Sequence, residues 1–220
     1  MHPVSPNDAA PRRLAGGLLL GCALLAMLAM AHHPHAHGGG DRLAALARIA
    51  GPNAVVHGAL LVLLVALVVL LGEFAAARIR EAALARAGQV LFLLGGTALV
   101  LAALVNGFAV PALAISMAGQ AAGPEWTPML RFAWQLNQAA SGFGVLAWAA
   151  GIAVLSVDLV RRRGPSRWVG VYGLVAGAAI IAAVGSHQVA LDVRGFGIVL
   201  FALCLWQAGA GVLMLRRAPD

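Results

Sequence analysis

Six apolar stretches, at about 14–31, 53–72, 88–113, 130–157, 168–187 and 195–215, are separated by short polar segments. Each reaches or approaches the roughly 20 residues that carry an α-helix across a hydrocarbon core. The pattern predicts an all-α integral membrane protein, a six-transmembrane-helix bundle that forms a single membrane domain over residues 1–220. No intervening segment is long enough to fold as a soluble domain. Composition agrees: 61% of residues are hydrophobic and 10% charged, with mean hydropathy +0.89, whereas soluble domains carry about 25% charged residues.

Polar punctuation refines the picture between the first two stretches. Gly38-Gly39-Gly40 is followed by Leu43, Leu46, Ala47 and Ala50 at helical spacing, and then by Gly51-Pro52, a helix-stop signal. A short interfacial helix in the first outer loop is the expected result. Pro124, Trp126 and Pro128 mark a second loop on the same side, with Trp126 suited to anchoring at the interface.

Charge sets the expected orientation. All fifteen basic residues are arginine. Arg12, Arg13, Arg78, Arg80, Arg86, Arg161, Arg162, Arg163, Arg167, Arg216 and Arg217 fall on one side of the spans, and only Arg42, Arg48, Arg131 and Arg194 on the other. The positive-inside rule then makes both termini cytoplasmic and loops 32–52, 114–129 and 188–194 external. A net charge of +7 reads as topology signal and contact with the lipid bilayer, and not as nucleic-acid binding, which would concentrate arginine on a soluble module. The lysine-free, alanine-rich composition points to a GC-rich bacterial genome and so to a bacterial inner membrane. An alternative for the first span is a signal peptide: Arg12-Arg13, an apolar run and Ala29-Met30-Ala31 imitate one, with cleavage exposing His32. The apolar run is longer than a usual signal core, which favours a retained helix.

Small residues mark where helices approach closely: Gly16, Gly17 and Gly21 in the first span, Gly173 and Gly177 in the fifth, Gly209 and Gly211 in the sixth. They read first as packing within the bundle and second as contact with another membrane protein or a second copy. Cys22 and Cys204 lie inside spans as small hydrophobes.

Polar side chains within spans are costly unless they find partners, and here they gather at the outer end. Asn53 and His57 sit four apart in span two, and Asn106 lies in span three ahead of Pro111. Gln135, Asn137, Gln138 and Ser141 occupy the outer half of span four. Ser186, His187 and Gln188 end span five, and Asp192 follows. The amides serve either as interhelical glue or as the wall of a polar vestibule open to the periplasm.

Histidine supplies the candidate chemistry. His32, His33, His35 and His37 share one loop, and imidazole suits copper, zinc and nickel. His57 and His187 share a membrane depth; with Asp192 they offer a deeper metal site, or, as two axial ligands, a clamp for haem b. Several classes lack their residues. There is no lysine for a retinal Schiff base, no midspan carboxylate for an ion-coupled carrier, and no Walker loop, Gly-x-Ser-x-Gly or His-Glu-x-x-His. The expectation is a multi-pass protein whose histidine-containing vestibule handles a transition metal. A redox or enzyme subunit using His57 and His187, and a non-catalytic assembly subunit, are the alternatives.

Overall fold

The computed structural model describes residues 6–34, 42–117 and 126–216. Among them the chain forms α1 (Pro6–Ala31), α2 (Arg42–Arg78), α3 (Ala82–Leu104), a π-helical turn (Val105–Ala109), α4 (Val110–Met117), α5 (Trp126–Val160), α6 (Pro165–Gly185) and α7 (Val193–Leu215). With α3, the π turn and α4 joined into one rod, 6 helices are long and apolar enough to cross a membrane. The chain is a multi-pass helical bundle, with no strand among the described residues.

The expected break at Gly51-Pro52 does not occur. Proline removes one backbone donor and usually kinks a helix, yet α2 runs through Pro52 without interruption. Residues 42–50 are its first turns, and Ala45 and Ala50 are buried against the bundle. Packing of this amino-terminal extension replaces the separate interfacial helix that the sequence pattern suggested.

Pro111 accounts for the irregularity between α3 and α4. In a regular α-helix its ring would collide with the carbonyl of Gly107, and it has no N–H to donate. Val105–Ala109 widens into a π turn, with the Val110 N–H bonding back to Val105 O. Such turns often occur at functional sites, and this one carries Asn106.

Successive helices pack side by side, α1 on α2, α2 on α3 and α4, α3 on α5, α5 on α6 and α6 on α7; α7 then returns to α1 and closes a ring. Backbone proximity makes that closure possible. A Cβ on Gly16 would lie 2.6 Å from Met214 Cβ, and one on Gly211 would lie 2.8 Å from Gly16 O. On α5, Trp148, Ile152, Leu155 and Leu159 form a buried stripe at helical spacing. Val55, Val62, Val65 and Val69 of α2 point outward, where acyl chains would meet them. At one end, Arg78 donates to the carbonyls of Leu213 and Arg216. His33, His57 and Asp192 gather at the other.

Candidate ligand-binding vestibule

A cavity of about 130 Å³ opens between α1, α2, α3, α5 and α7 at the histidine end. Its outer wall holds His33, His57, Asn106, Asn137, Ser141 and Asp192, and its deeper wall is largely aliphatic, with Leu60, Leu63, Leu64, Leu67, Leu99 and Leu200. From His57 to Leu67 the α2 wall runs about 15 Å at 1.5 Å per residue. The arrangement is a polar mouth on an apolar shaft.

Asn53 and His57, one turn apart on α2, are both buried. His57 Nδ1 lies 2.9 Å from the Asn53 carbonyl, an acceptor, so Nδ1 carries the proton. Nε2 of the neutral ring then keeps its lone pair and accepts from Asn106 Nδ2 at 3.3 Å. The Asn53 amide donates in turn to the Asn106 backbone carbonyl at 2.9 Å. Two helices are therefore joined by a closed exchange of hydrogen bonds, and the tautomer of His57 is fixed by it.

Gly107 makes this contact possible. A Cβ there would stand 2.3 Å from His57 Cβ and 2.5 Å from its Cγ, well inside the 3.5–4.0 Å of ordinary carbon contact. The π turn and the missing side chain together bring α3 against the imidazole.

His33 supplies the second ring. Just past the end of α1 it is buried, its Nδ1 donates to Pro34 O at 2.9 Å, and its ring meets that of His57 edge-on, with centroids 5.0 Å apart. Loop residues before a glycine run carry no periodicity that would have predicted this fold-back. His32 is exposed and bonds the Leu28 carbonyl at 3.0 Å. His35 and His37 lie outside the described residues, as does Pro124.

His187 is placed elsewhere. It is exposed and is not in the vestibule wall. Its backbone adopts φ 58, the left-handed position that usually takes glycine after a helix. The His187 N–H bonds Val184 O at 3.1 Å and the Gln188 N–H bonds Ala183 O at 2.9 Å, the paired bonds of a Schellman cap. This residue closes α6, and its imidazole does not join that of His57 in the cavity wall.

The α5 polar residues divide by helical angle. Asn137 and Ser141 share the face that lines the cavity, and neither side chain has a hydrogen-bond partner among the described residues. Gln138, 100° around the helix, instead donates to Leu191 O at 3.2 Å, and Gln135 is exposed outside the wall. Asp192 caps α7, one carboxylate oxygen accepting from the Gly195 N–H at 2.8 Å. Among the described residues no three His, Cys, Asp or Glu side chains are grouped so as to hold a metal ion.

No family model, curated protein or solved structure matches the chain. The vestibule has to be read from its own geometry.

Proposed function

We propose that the protein binds a small amphipathic molecule in the vestibule, the polar head among His57, Asn106, Asn137 and Ser141 and the apolar body along the leucine shaft. The observation that carries this reading is the unspent hydrogen-bonding capacity of half-buried Asn137 and of Ser141, which line the cavity on one face of α5 with no hydrogen-bond partner among the described residues, so a polar head in the cavity finds donors and acceptors there. Among the described residues Asp192 is the one formally charged side chain in the wall, which favours a neutral or cationic head over an anionic one. A cavity of about 130 Å³ compares with the 150 Å³ apolar cavity that admits benzene, so one ring or a short chain fits. On the arginine distribution, the mouth faces the periplasm of a bacterial inner membrane and both termini are cytoplasmic.

A neutral one-ring amphiphile such as 4-methylphenol is a suitable probe. It should raise the unfolding temperature of the detergent-purified protein, and Leu64→Trp, which fills the shaft, should abolish the rise. An equal rise in wild type and Leu64→Trp would refute binding in this cavity.

A second reading, handling of a transition metal, draws on the 5.0 Å approach of the His33 and His57 rings. His33 and His57 would supply two of the ligands, with His32, His35 and His37 as the capture loop, and copper, zinc and nickel suit imidazole donors. His57 Nε2 would have to release Asn106 first. Stoichiometric copper, zinc or nickel retained by wild type and lost in His33→Ala would favour this reading; a metal-free wild type after loading with each would exclude it.

A further inference from the structure

The end of the bundle opposite the vestibule carries a cluster of like charges that the ligand site does not use. Arg78 ends α2, and its guanidinium reaches the last carbonyls of α7, bonding Leu213 O and, at 2.7 Å, Arg216 O. Arg162, just past α5, belongs to the same end: Phe74, one turn before Arg78, packs edge-on against Trp206 of α7 with ring centroids 5.6 Å apart, and Ser156 of α5 accepts from Trp206 Nε1 at 3.1 Å, so α2 and α5 leave the bundle side by side against α7. The close approach of Gly16 to Met214 and Gly211 fixes the α1 side of this cluster, because Arg12 lies one turn before Gly16. Three helices thus bring three guanidinium groups to the same end of the bundle, around the last turn of α7.

Compensation is incomplete. Asp158 pairs with Arg162 and is the one carboxylate that meets any of the three among the described residues. The other ion pair, Arg161 with Glu81 at 4.0 Å, is largely exposed. Arg162 also has its Nε buried without a partner among the described residues. Converging positive charges at the edge of a low-dielectric bundle repel one another unless an anion joins them. A guanidinium offers paired donors that match phosphate oxygens.

We propose that Arg12, Arg78 and Arg162 form a binding site for a phosphate group, that of an anionic lipid headgroup. The site lies at the ends of α1, α2 and α5, where spans leave the hydrocarbon and headgroups begin. Bound phosphate would neutralise the excess charge and tie α1 and α5 to the junction of α2 with α7. Surface arginines elsewhere at this end, such as Arg86 and Arg167, supply a diffuse field only.

The test compares unfolding temperatures in phosphatidylcholine nanodiscs with and without phosphatidylglycerol. Phosphatidylglycerol should raise the midpoint of wild type by about 5 °C, as a saturating ligand specific to the folded state does. Arg12→Gln/Arg162→Gln should lose at least half of that rise, while Arg86→Gln/Arg167→Gln keeps it. Equal losses in the two pairs, or no rise in wild type, would overturn the site. Inorganic phosphate alone should give no rise; a rise matching that of the lipid would overturn the lipid assignment. If the double variant does not fold in phosphatidylcholine, Arg12→Gln alone serves, since Arg12 is exposed and makes no ion pair among the described residues. Native mass spectrometry of that variant should then show one bound phosphatidylglycerol fewer than wild type, and unchanged occupancy would refute the proposal.

Discussion

Replacing Gly107 by alanine isolates the contact that builds the vestibule mouth. In an unconstrained helix the change is favourable by about 1 kcal/mol, because alanine loses less backbone entropy than glycine. Here the new methyl group would stand 2.3 Å from His57 Cβ, so α2 and the π turn must separate by about 1.3 Å to reach ordinary contact. Overpacking of this kind costs about 1–3 kcal/mol, and loss of the His57–Asn106 bond about 1 kcal/mol more. The net effect is a destabilisation of about 2 kcal/mol, or a fall of about 6 °C for a chain of this size. Thermal unfolding in detergent, followed by intrinsic fluorescence, reads it directly. His57→Gly removes the atoms struck by the methyl group, so Gly107→Ala should cost at least about 1 kcal/mol less in that background. A rise in midpoint for the single variant, or strict additivity of the two changes, would refute the packing described here.

Other consequences concern the elements that frame the site. His187→Gly should raise the midpoint by about 3 °C, because a non-glycine residue in the left-handed region costs about 1–2 kcal/mol, part of it offset by the unfolded-state entropy of glycine; His187→Ala, measured alongside, should give no such gain. Asp192→Ala should destabilise by about 1 kcal/mol through loss of the α7 cap, visible in the same melt and restored by Asp192→Asn. Gly211→Val should force α7 away from Gly16 and lower the midpoint by more than Gly21→Val, since a Cβ on Gly21 meets nothing within 4 Å.

The spans were legible because hydropathy over 20 residues is a long-range average that local exceptions do not disturb. Local exceptions are where sequence and structure part. Pro52 reads as a stop, but the burial of Ala45 and Ala50 outweighs one lost backbone bond and α2 continues. The four-residue spacing of Asn53 with His57, and of Asn137 with Ser141, announced shared faces, and these are the pairs that meet in or beside the vestibule. Gln135, two residues from Asn137 and so about 200° around α5, was grouped with them by depth alone and turns outward. Depth misled in the same way for His187, whose backbone is committed to a helix cap. His33 was legible as one of four loop histidines, but not its fold-back onto His57, because its position depends on how the chain leaves α1 and a loop has no periodicity to betray that. The π turn could have been suspected from Pro111 four residues after Gly107, since that spacing puts the proline ring against the Gly107 carbonyl in any regular helix.

The most direct test of the vestibule is histidine ¹⁵N NMR of the detergent-solubilised protein during titration with 4-methylphenol. His57 should begin as the Nδ1–H tautomer fixed by Asn53 and Asn106, and its Nε2 resonance should move saturably in wild type but not in Leu64→Trp, while exposed His187 stays unchanged. A His57 signal that does not respond, or that shifts equally in Leu64→Trp, would contradict the account.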